Sequence, residues 1–229
     1  MKSWLVGSNP VGLSVNKAHN VVVTCHGANK LQEYTTDGSL VREISLQQAR
    51  FTKPWHAVQL STGDYAVSHG TSPGVVSIVG VNGQVAYSCQ SQTSSVGLMN
   101  HPSSLAVTNN ADILVSDSGN NRILCMNSSL SSVQELVLSV DGQMQQPFGL
   151  CLDESRGRLY VSEFGGGYGG RVLVFESCKW HIGAHDDDNN DIVENVNPDL
   201  LWPEMTYYDT NNTYDYGYYD HYAADDRCL

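Results

Sequence analysis

The 229-residue chain has no hydrophobic run long enough to cross a membrane as a helix. Its first seven residues also lack the sustained apolar stretch of a secretory signal. We therefore expect a cytoplasmic protein. The six cysteines form no CxxC pair and no closely spaced framework. This argues against a disulfide scaffold, and the cysteines are expected to remain thiols.

Basic residues are scarce, with 12 Lys and Arg against 24 Asp and Glu. The imbalance lies almost entirely in residues 181–229, which hold 12 acidic residues and one basic residue. The first 180 residues therefore carry 12 acidic and 11 basic residues. A nearly neutral body without a basic cluster attracts phosphate weakly, so nucleic-acid binding is disfavoured. The anionic tail likewise disfavours binding to anionic membranes.

Aliphatic side chains are absent from residues 207–222, where seven of sixteen residues are tyrosine. A segment of this composition cannot form a packed apolar face. We predict that residues 181–229 form an acidic, Tyr-rich, low-complexity tail that is disordered or becomes ordered on a partner. Its one apolar cluster, residues 200–203 (LLWP), is a candidate docking motif.

Common catalytic motifs are also missing. The chain contains no G-x-S-x-G nucleophile elbow, no P-loop and no dinucleotide fingerprint. The glycine-rich residues 165–170 lie between two predicted strands without a following helix to bind phosphate. We predict a flexible contact loop there, with Gly166 and Tyr168 as surface candidates. Residues 186–197 depart from an EF-hand at its sixth and twelfth positions, so no calcium site is expected.

A fourfold repeat organises the body. Four segments begin at Pro10, Pro54, Pro102 and Pro147, which are 44, 48 and 45 residues apart. Each is followed by further β-rich runs separated by polar or Gly-containing turns. The second runs are residues 20–24, 64–68, 112–116 and 158–162, and the third runs are residues 30–34, 75–79, 122–126 and 171–175. The first three repeats also have a fourth run, at residues 40–44, 84–89 and 133–138.

Four short strands joined by hairpins every 44–48 residues predict the blades of a β-propeller. Asp37-Gly38 and Asn82-Gly83 are strong hairpin signals before two of the fourth strands. A proline fits the first position of the innermost strand, where a backbone donor is not required. We predict an all-β propeller of four antiparallel blades, at about residues 8–53, 54–101, 102–146 and 147–180.

The third repeat closely resembles the NHL repeat. Residues 102–107 (PSSLAV) and 112–123 (DILVSDSGNNRI) resemble the family pattern P-x-G-[IL]-A-V followed by V-[AS]-D-S-G-N-x-[RK]-[IV], with Ser104 at the position of the glycine. The other repeats match more loosely over about residues 8–176. The resemblance implies a propeller that usually closes with six blades, often at the C-terminus of tripartite-motif (TRIM) ubiquitin ligases.

Four blades are fewer than the resemblance implies, and three explanations remain open. The sequence is a fragment or an incomplete gene model, or the chain associates to complete a ring, or it closes with fewer blades. In the last case residues 3–6 (SWLV) would pair with residues 171–175 as a closing strand. If the ring is open, its uncovered blade edges invite self-association.

Equivalent repeat positions also suggest a metal site. His26, His69, Asp117 and Glu163 all follow the second strand of their repeats, so they could form a ring of ligands around the propeller axis. The alternative, which we favour, is that each side chain hydrogen-bonds the adjacent turn. We therefore expect no bound metal and no cofactor.

Five other residues are candidates for a contact surface. His56 enters the first strand of blade two near the expected hub, next to Trp55, and Phe148 occupies the position of Trp55 in blade four. Arg122 and Arg171 begin third strands, where we expect them to tie adjacent loops together.

We expect a non-enzymatic module that presents loops to a protein partner; by resemblance this is the substrate-recruiting part of a TRIM-type ubiquitin ligase. The alternatives are a metal-dependent propeller enzyme of the peptidylglycine amidating lyase type and an RNA-binding NHL platform.

Overall fold

A computed structural model describes residues 2–7, 9–46, 51–90, 96–136, 138, 144–164 and 170–176. These residues form fifteen strands. Blade one contains β1 (Pro10–Val15), β2 (Val21–Cys25), β3 (Lys30–Tyr34) and β4 (Leu40–Ser45). Blade two contains β5 (Pro54–Gln59), β6 (Tyr65–His69), β7 (Val75–Val79) and β8 (Val85–Cys89). Blade three contains β9 (Pro102–Val107), β10 (Ile113–Asp117), β11 (Arg122–Met126) and β12 (Val133–Glu135). Blade four contains β13 (Pro147–Asp153), β14 (Arg158–Glu163) and β15 (Arg171–Glu176).

Each blade is a separate antiparallel meander in which neighbouring strands follow chain order. All four first strands begin at the predicted prolines. The two predicted hairpins are present, and Gly38 and Gly83 both have positive φ, at 94° and 78°. Glycine adopts that backbone region without steric cost, which explains its place in these turns. The all-β, four-bladed propeller architecture is confirmed.

The blades pack face to face in sequence order. Inner strands contact one another in the series β1, β5, β9 and β13. The first two approach so closely that a Cβ at Gly12 would lie 2.5 Å from the carbonyl oxygen of Trp55. Glycine at that position therefore permits the close approach of two backbones.

Three apolar clusters fill the spaces between successive blades. One lies between blades one and two and includes Val22, Leu31 and Tyr65. The second joins blades two and three, and the third joins blades three and four. Strands β6 and β10 are buried along their whole length because each is covered on both sides. Strand β14 instead alternates between buried and half-buried residues, because only one of its faces is covered.

Residues 3–6 do not close the ring. They form no strand, and Trp4 lies against blade one, with its ring centroid 6.1 Å from that of Tyr34. Val6 packs on the same cluster as Trp4. Closure within one chain through this segment is therefore excluded, and blade four has three strands among the described residues.

Some predictions concern residues outside the described ranges. These are the acidic tail at 181–229 and the loop candidates Gly166 and Tyr168. Among the residues that are described, no helix is long and apolar enough to span a membrane.

Candidate functional site at the proline end

The antiparallel register brings the candidate residues to one end of the blades. In blades two, three and four the first residue of the inner strand pairs with the last residue of the second strand: Pro54 with His69, Pro102 with Asp117, and Pro147 with Glu163. In blade one, Pro10 pairs with Cys25, which His26 follows directly. We call this end, with the loops that enter the inner strands, the proline end.

Three aromatic rings meet at the proline end, from the turn after β2, from β5 and from the loop that enters β9. The Trp55 ring contacts both imidazoles, with centroid distances of 4.7 Å to His26 and 4.6 Å to His101. All three side chains are half-buried. The indole N–H donates to the carbonyl of Gly70 at 3.0 Å. This aromatic trio therefore presents ring surface at the junctions between blades one, two and three.

Both imidazoles of the trio favour the neutral form. Burial lowers the pKa of His26, and the charge of Lys53 acts in the same direction, although a contact with the Pro54 carbonyl opposes them. Burial also lowers the pKa of His101, with further contributions from His26 and Lys53. The trio is therefore an uncharged aromatic surface at neutral pH.

A second aromatic contact lies at the proline end of blade four. The rings of Phe148 and Phe164 are 6.1 Å apart. Phe148 is 45% exposed and Phe164 is 53% exposed. Phe148 lies on β13 and Phe164 directly follows β14, and large aromatic side chains that remain this accessible are typical anchors for a protein partner.

Asp117 is fully buried and satisfied by hydrogen bonds. It accepts from the Asn100 backbone N–H at 2.7 Å, from the Asn120 amide at 2.8 Å and from Arg122 Nε at 2.7 Å. Arg122 also donates to the carbonyl of Val96 at 2.6 Å. The pair therefore fastens the loop that enters blade three to the turn after β10.

Blade four repeats this arrangement with a glutamate. Glu163 accepts from the Gln145 backbone N–H at 2.7 Å and from Arg171 Nε. In blade one, Lys30 pairs instead with Glu43 of the outermost strand, at 2.8 Å. The basic residues that begin the third strands thus bind carboxylates of their own blades.

His69 occupies the equivalent place in blade two. It is buried, and its ring stacks on Phe51 with a centroid distance of 3.9 Å. Its Nε2 lies 2.8 Å from the Ser77 hydroxyl, whereas its Nδ1 is buried without a hydrogen-bond partner. Burial lowers the pKa of His69 to about 4.

The four candidate ligands are engaged separately. His26 contacts Trp55, His69 contacts Phe51 and Ser77, and the two carboxylates bind arginines. Within the described ranges, no group of three or more His, Cys, Asp or Glu side chains is arranged to hold a metal ion. The described part of the proline end therefore offers aromatic contact surface and a network of structural hydrogen bonds.

His56 joins three inner strands at the hub. Its Nδ1 accepts from the backbone N–H of Leu105 at 3.2 Å, and its Nε2 lies 3.0 Å from the carbonyl oxygen of Leu13. These partners fit a neutral imidazole that carries its proton on Nε2. Burial lowers the pKa of His56 and favours this form. With both nitrogens engaged, His56 holds β1, β5 and β9 together.

Sequence reasoning identified Trp55 and Phe148 but missed His101 and Phe164. A signal for both was available. His101 immediately precedes the proline of repeat three, and Phe164 immediately follows the second strand of repeat four. The antiparallel pairing of first and second strands places both positions at the proline end.

Solved structures share this fold at low sequence identity. A catalytically inactive virginiamycin B lyase from Staphylococcus aureus with quinupristin matches with a TM-score of 0.51 and 16% identity, over 77% of this chain and 59% of that chain. A streptogramin B lyase matches with a TM-score of 0.50 and 15% identity, over 76% and 57%. A nidogen/laminin complex matches with a TM-score of 0.50 and 16% identity, over 68% and 56%. The present chain thus spans a little more than half the length of these matched chains.

The search of curated proteins finds no match. The family comparison matches residues 99–126 to the NHL repeat. This segment includes β9, β10 and β11, together with the Asp117–Arg122 ion pair. The chain therefore carries an NHL repeat at residues 99–126, within an array of four propeller blades.

Proposed function

We propose that the chain is a non-enzymatic interaction module that binds a protein partner at the proline end. The observation that carries this proposal is the exposed pair Phe148 and Phe164 on the same end of the blades as the aromatic trio. Interfaces are enriched in aromatic anchors held on a rigid scaffold. The loops that enter the inner strands surround these anchors and supply variable contacts.

The polar groups at the same end support a binding role over catalysis. Asp117 and Glu163 are buried and bound to arginines, and His56 has partners on both nitrogens. A general base or nucleophile needs a lone pair directed at substrate. These side chains instead direct theirs at the protein, so their role is to hold the surface in shape.

The fold itself does not decide between these functions. The matched structures include lyases and a complex named for nidogen and laminin, and one fold hosts unrelated activities. The function must therefore be inferred from the side chains of the site. The resemblance of repeat three extends the proposal to a substrate-recruiting role in a TRIM-type ubiquitin ligase in the cytoplasm.

The double variant Phe148→Ala and Phe164→Ala should weaken partner binding at least tenfold. Both rings are accessible, and loss of an interface anchor typically costs more than about 1.4 kcal/mol of binding free energy, which is a factor of ten. The measurement is quantitative mass spectrometry of proteins captured on the immobilised full chain, followed by titration of each captured protein. Tyr87→Ala is the matched control because Tyr87 is 57% exposed but lies on the outermost strand of blade two.

A partner that binds the proline end should be captured by the Tyr87→Ala control but not by the double variant. If every saturable partner binds the double variant as tightly as the wild type, the proline end is not the binding surface. Circular dichroism and thermal unfolding of the three proteins would establish that the comparison is between folded chains.

A further inference from the structure

The outward face of blade four carries apolar side chains at positions that are buried in blade three. In blade three, Ala106, Leu114, Ile123 and Cys125 pack against blade four. The repeat alignment places Cys151, Tyr160, Val172 and Val174 at these positions in blade four. Val172 is 64% exposed and Val174 is 48% exposed. We call this surface the trailing face of blade four.

The outward face of blade one is the complementary surface. Leu105 of blade three and Ala57 of blade two are buried against the preceding blades, and Leu13 is their equivalent in blade one. Leu13 is nevertheless 66% exposed, and Val11 and Val15 on the same strand are also exposed. We call this surface the leading face of blade one.

The leading face is partly covered by the chain itself. Trp4 and Val6 pack on the cluster formed by Val23, Cys25 and Tyr34, so they cover β2 and β3. The side chains of β1 remain open to solvent beside them. The aliphatic row of β1 and the edge of this covering segment therefore form the surface that a partner would meet.

We propose that the trailing face of blade four packs against the leading face of blade one of a second copy. Within one chain, a trailing face already packs on a leading face three times, at the contacts β1–β5, β5–β9 and β9–β13. The trailing face of blade four repeats the side-chain positions that pack in the other three blades. On blade one, β1 keeps the equivalent row, whereas Trp4 and Val6 already cover β2 and β3. Such a contact is heterologous, so it either closes a ring of two copies or grows further.

The charges at the rims of both faces are compatible with this packing. Lys30 and Glu43 form an ion pair beside the leading face, with a distance of 2.8 Å. Arg158 and Glu176 form one beside the trailing face, with a distance of 2.7 Å. Each of these ion pairs is neutral overall, so the contact does not place like charges of the two rims opposite each other.

The test is the molar mass of the full chain, measured by light scattering and sedimentation up to about 100 µM. The wild type should have at least the mass of a dimer. The double variant Val172→Lys and Val174→Lys should raise the dissociation constant at least a hundredfold, because it places charges in an apolar contact. Tyr87→Lys, at an exposed aromatic residue away from both faces, should associate like the wild type.

A mixing experiment separates this contact from other modes of association. The Leu13→Lys variant alone and the Val172→Lys, Val174→Lys variant alone should both be monomers. Mixed together they should form a heterodimer, because each supplies the face that the other has lost. A symmetric contact between two trailing faces would not be restored in this way.

A wild type that remains monomeric at the highest concentration would overturn the proposal. It would indicate that another protein or the C-terminal residues cover the trailing face of blade four. Variants that are monomeric separately and fail to form the heterodimer would also overturn it. The Leu13→Lys variant and the Val172→Lys, Val174→Lys variant should both retain partner binding at the proline end. A negative result for self-association would therefore leave the proposed function untouched, and the reverse also holds.

Discussion

Replacement of Asp117 by alanine should lower the free energy of unfolding by about 3–5 kcal/mol, because one half of a buried ion pair is removed. The carboxylate is fully buried and accepts from Asn100, Asn120 and Arg122. Without it, Arg122 keeps a charge at a site where its side chain is only 14% exposed. The Asn100 backbone N–H also loses its acceptor, and the Asn120 amide keeps only the carbonyl of Leu98.

Glu135→Ala is the matched control for this prediction. Glu135 is the second carboxylate near Arg122, at 3.5 Å, but its side chain is 51% exposed. An exposed ion pair contributes at most about 1 kcal/mol, so the control should lie close to the wild type. Urea unfolding followed by circular dichroism measures both changes. Equal losses for the two variants would show that burial does not set the strength of this contact.

Acidification from pH 7 to pH 4 should remove about 3 kcal/mol of stability through His69 alone. Burial lowers the pKa of His69 from 6.5 to about 4, and the side chain is stacked on Phe51. Between these two values the unfolded state binds a proton that the folded state does not. The stabilising contribution is therefore complete above pH 6.5 and is lost as the pH falls to about 4.

Stability against pH should consequently have a shallower slope in a His69→Gln variant. The slope should not vanish, because burial also lowers the pKa of His26, His56 and His101. His19→Asn is the control, because His19 is exposed in a turn with positive φ, a conformation that asparagine tolerates. Unfolding curves at several pH values measure the slopes. A His69→Gln slope equal to that of the wild type would show that His69 is not buried as described.

The strands were predictable because their signals are local. The four prolines begin β1, β5, β9 and β13, and each marks a backbone position that needs no ladder hydrogen bond. The dipeptides Asp37-Gly38 and Asn82-Gly83 define turns by their own conformational preference. Repetition then strengthened each weak signal, since the same pattern recurred at similar spacing.

The site was less predictable because it depends on contacts between repeats. No sequence pattern brings both His26 and His101 against Trp55, since that arrangement needs the angle between blades one, two and three. The packing of Trp4 on Tyr34 was missed for the same reason. A short segment with a bulky aromatic residue can add a strand or cover a sheet, and composition does not distinguish the two.

Hydrogen exchange measured by mass spectrometry, at a concentration where the chain is monomeric, tests the central claim most directly. If successive blades cover each other and leave the terminal faces open, β6 and β10 should exchange most slowly. Strands β1 and β15 should exchange faster, because Leu13 and Val172 lie on uncovered faces. Exchange in β1 and β15 that is as slow as in β6 and β10 would contradict an open array of four blades.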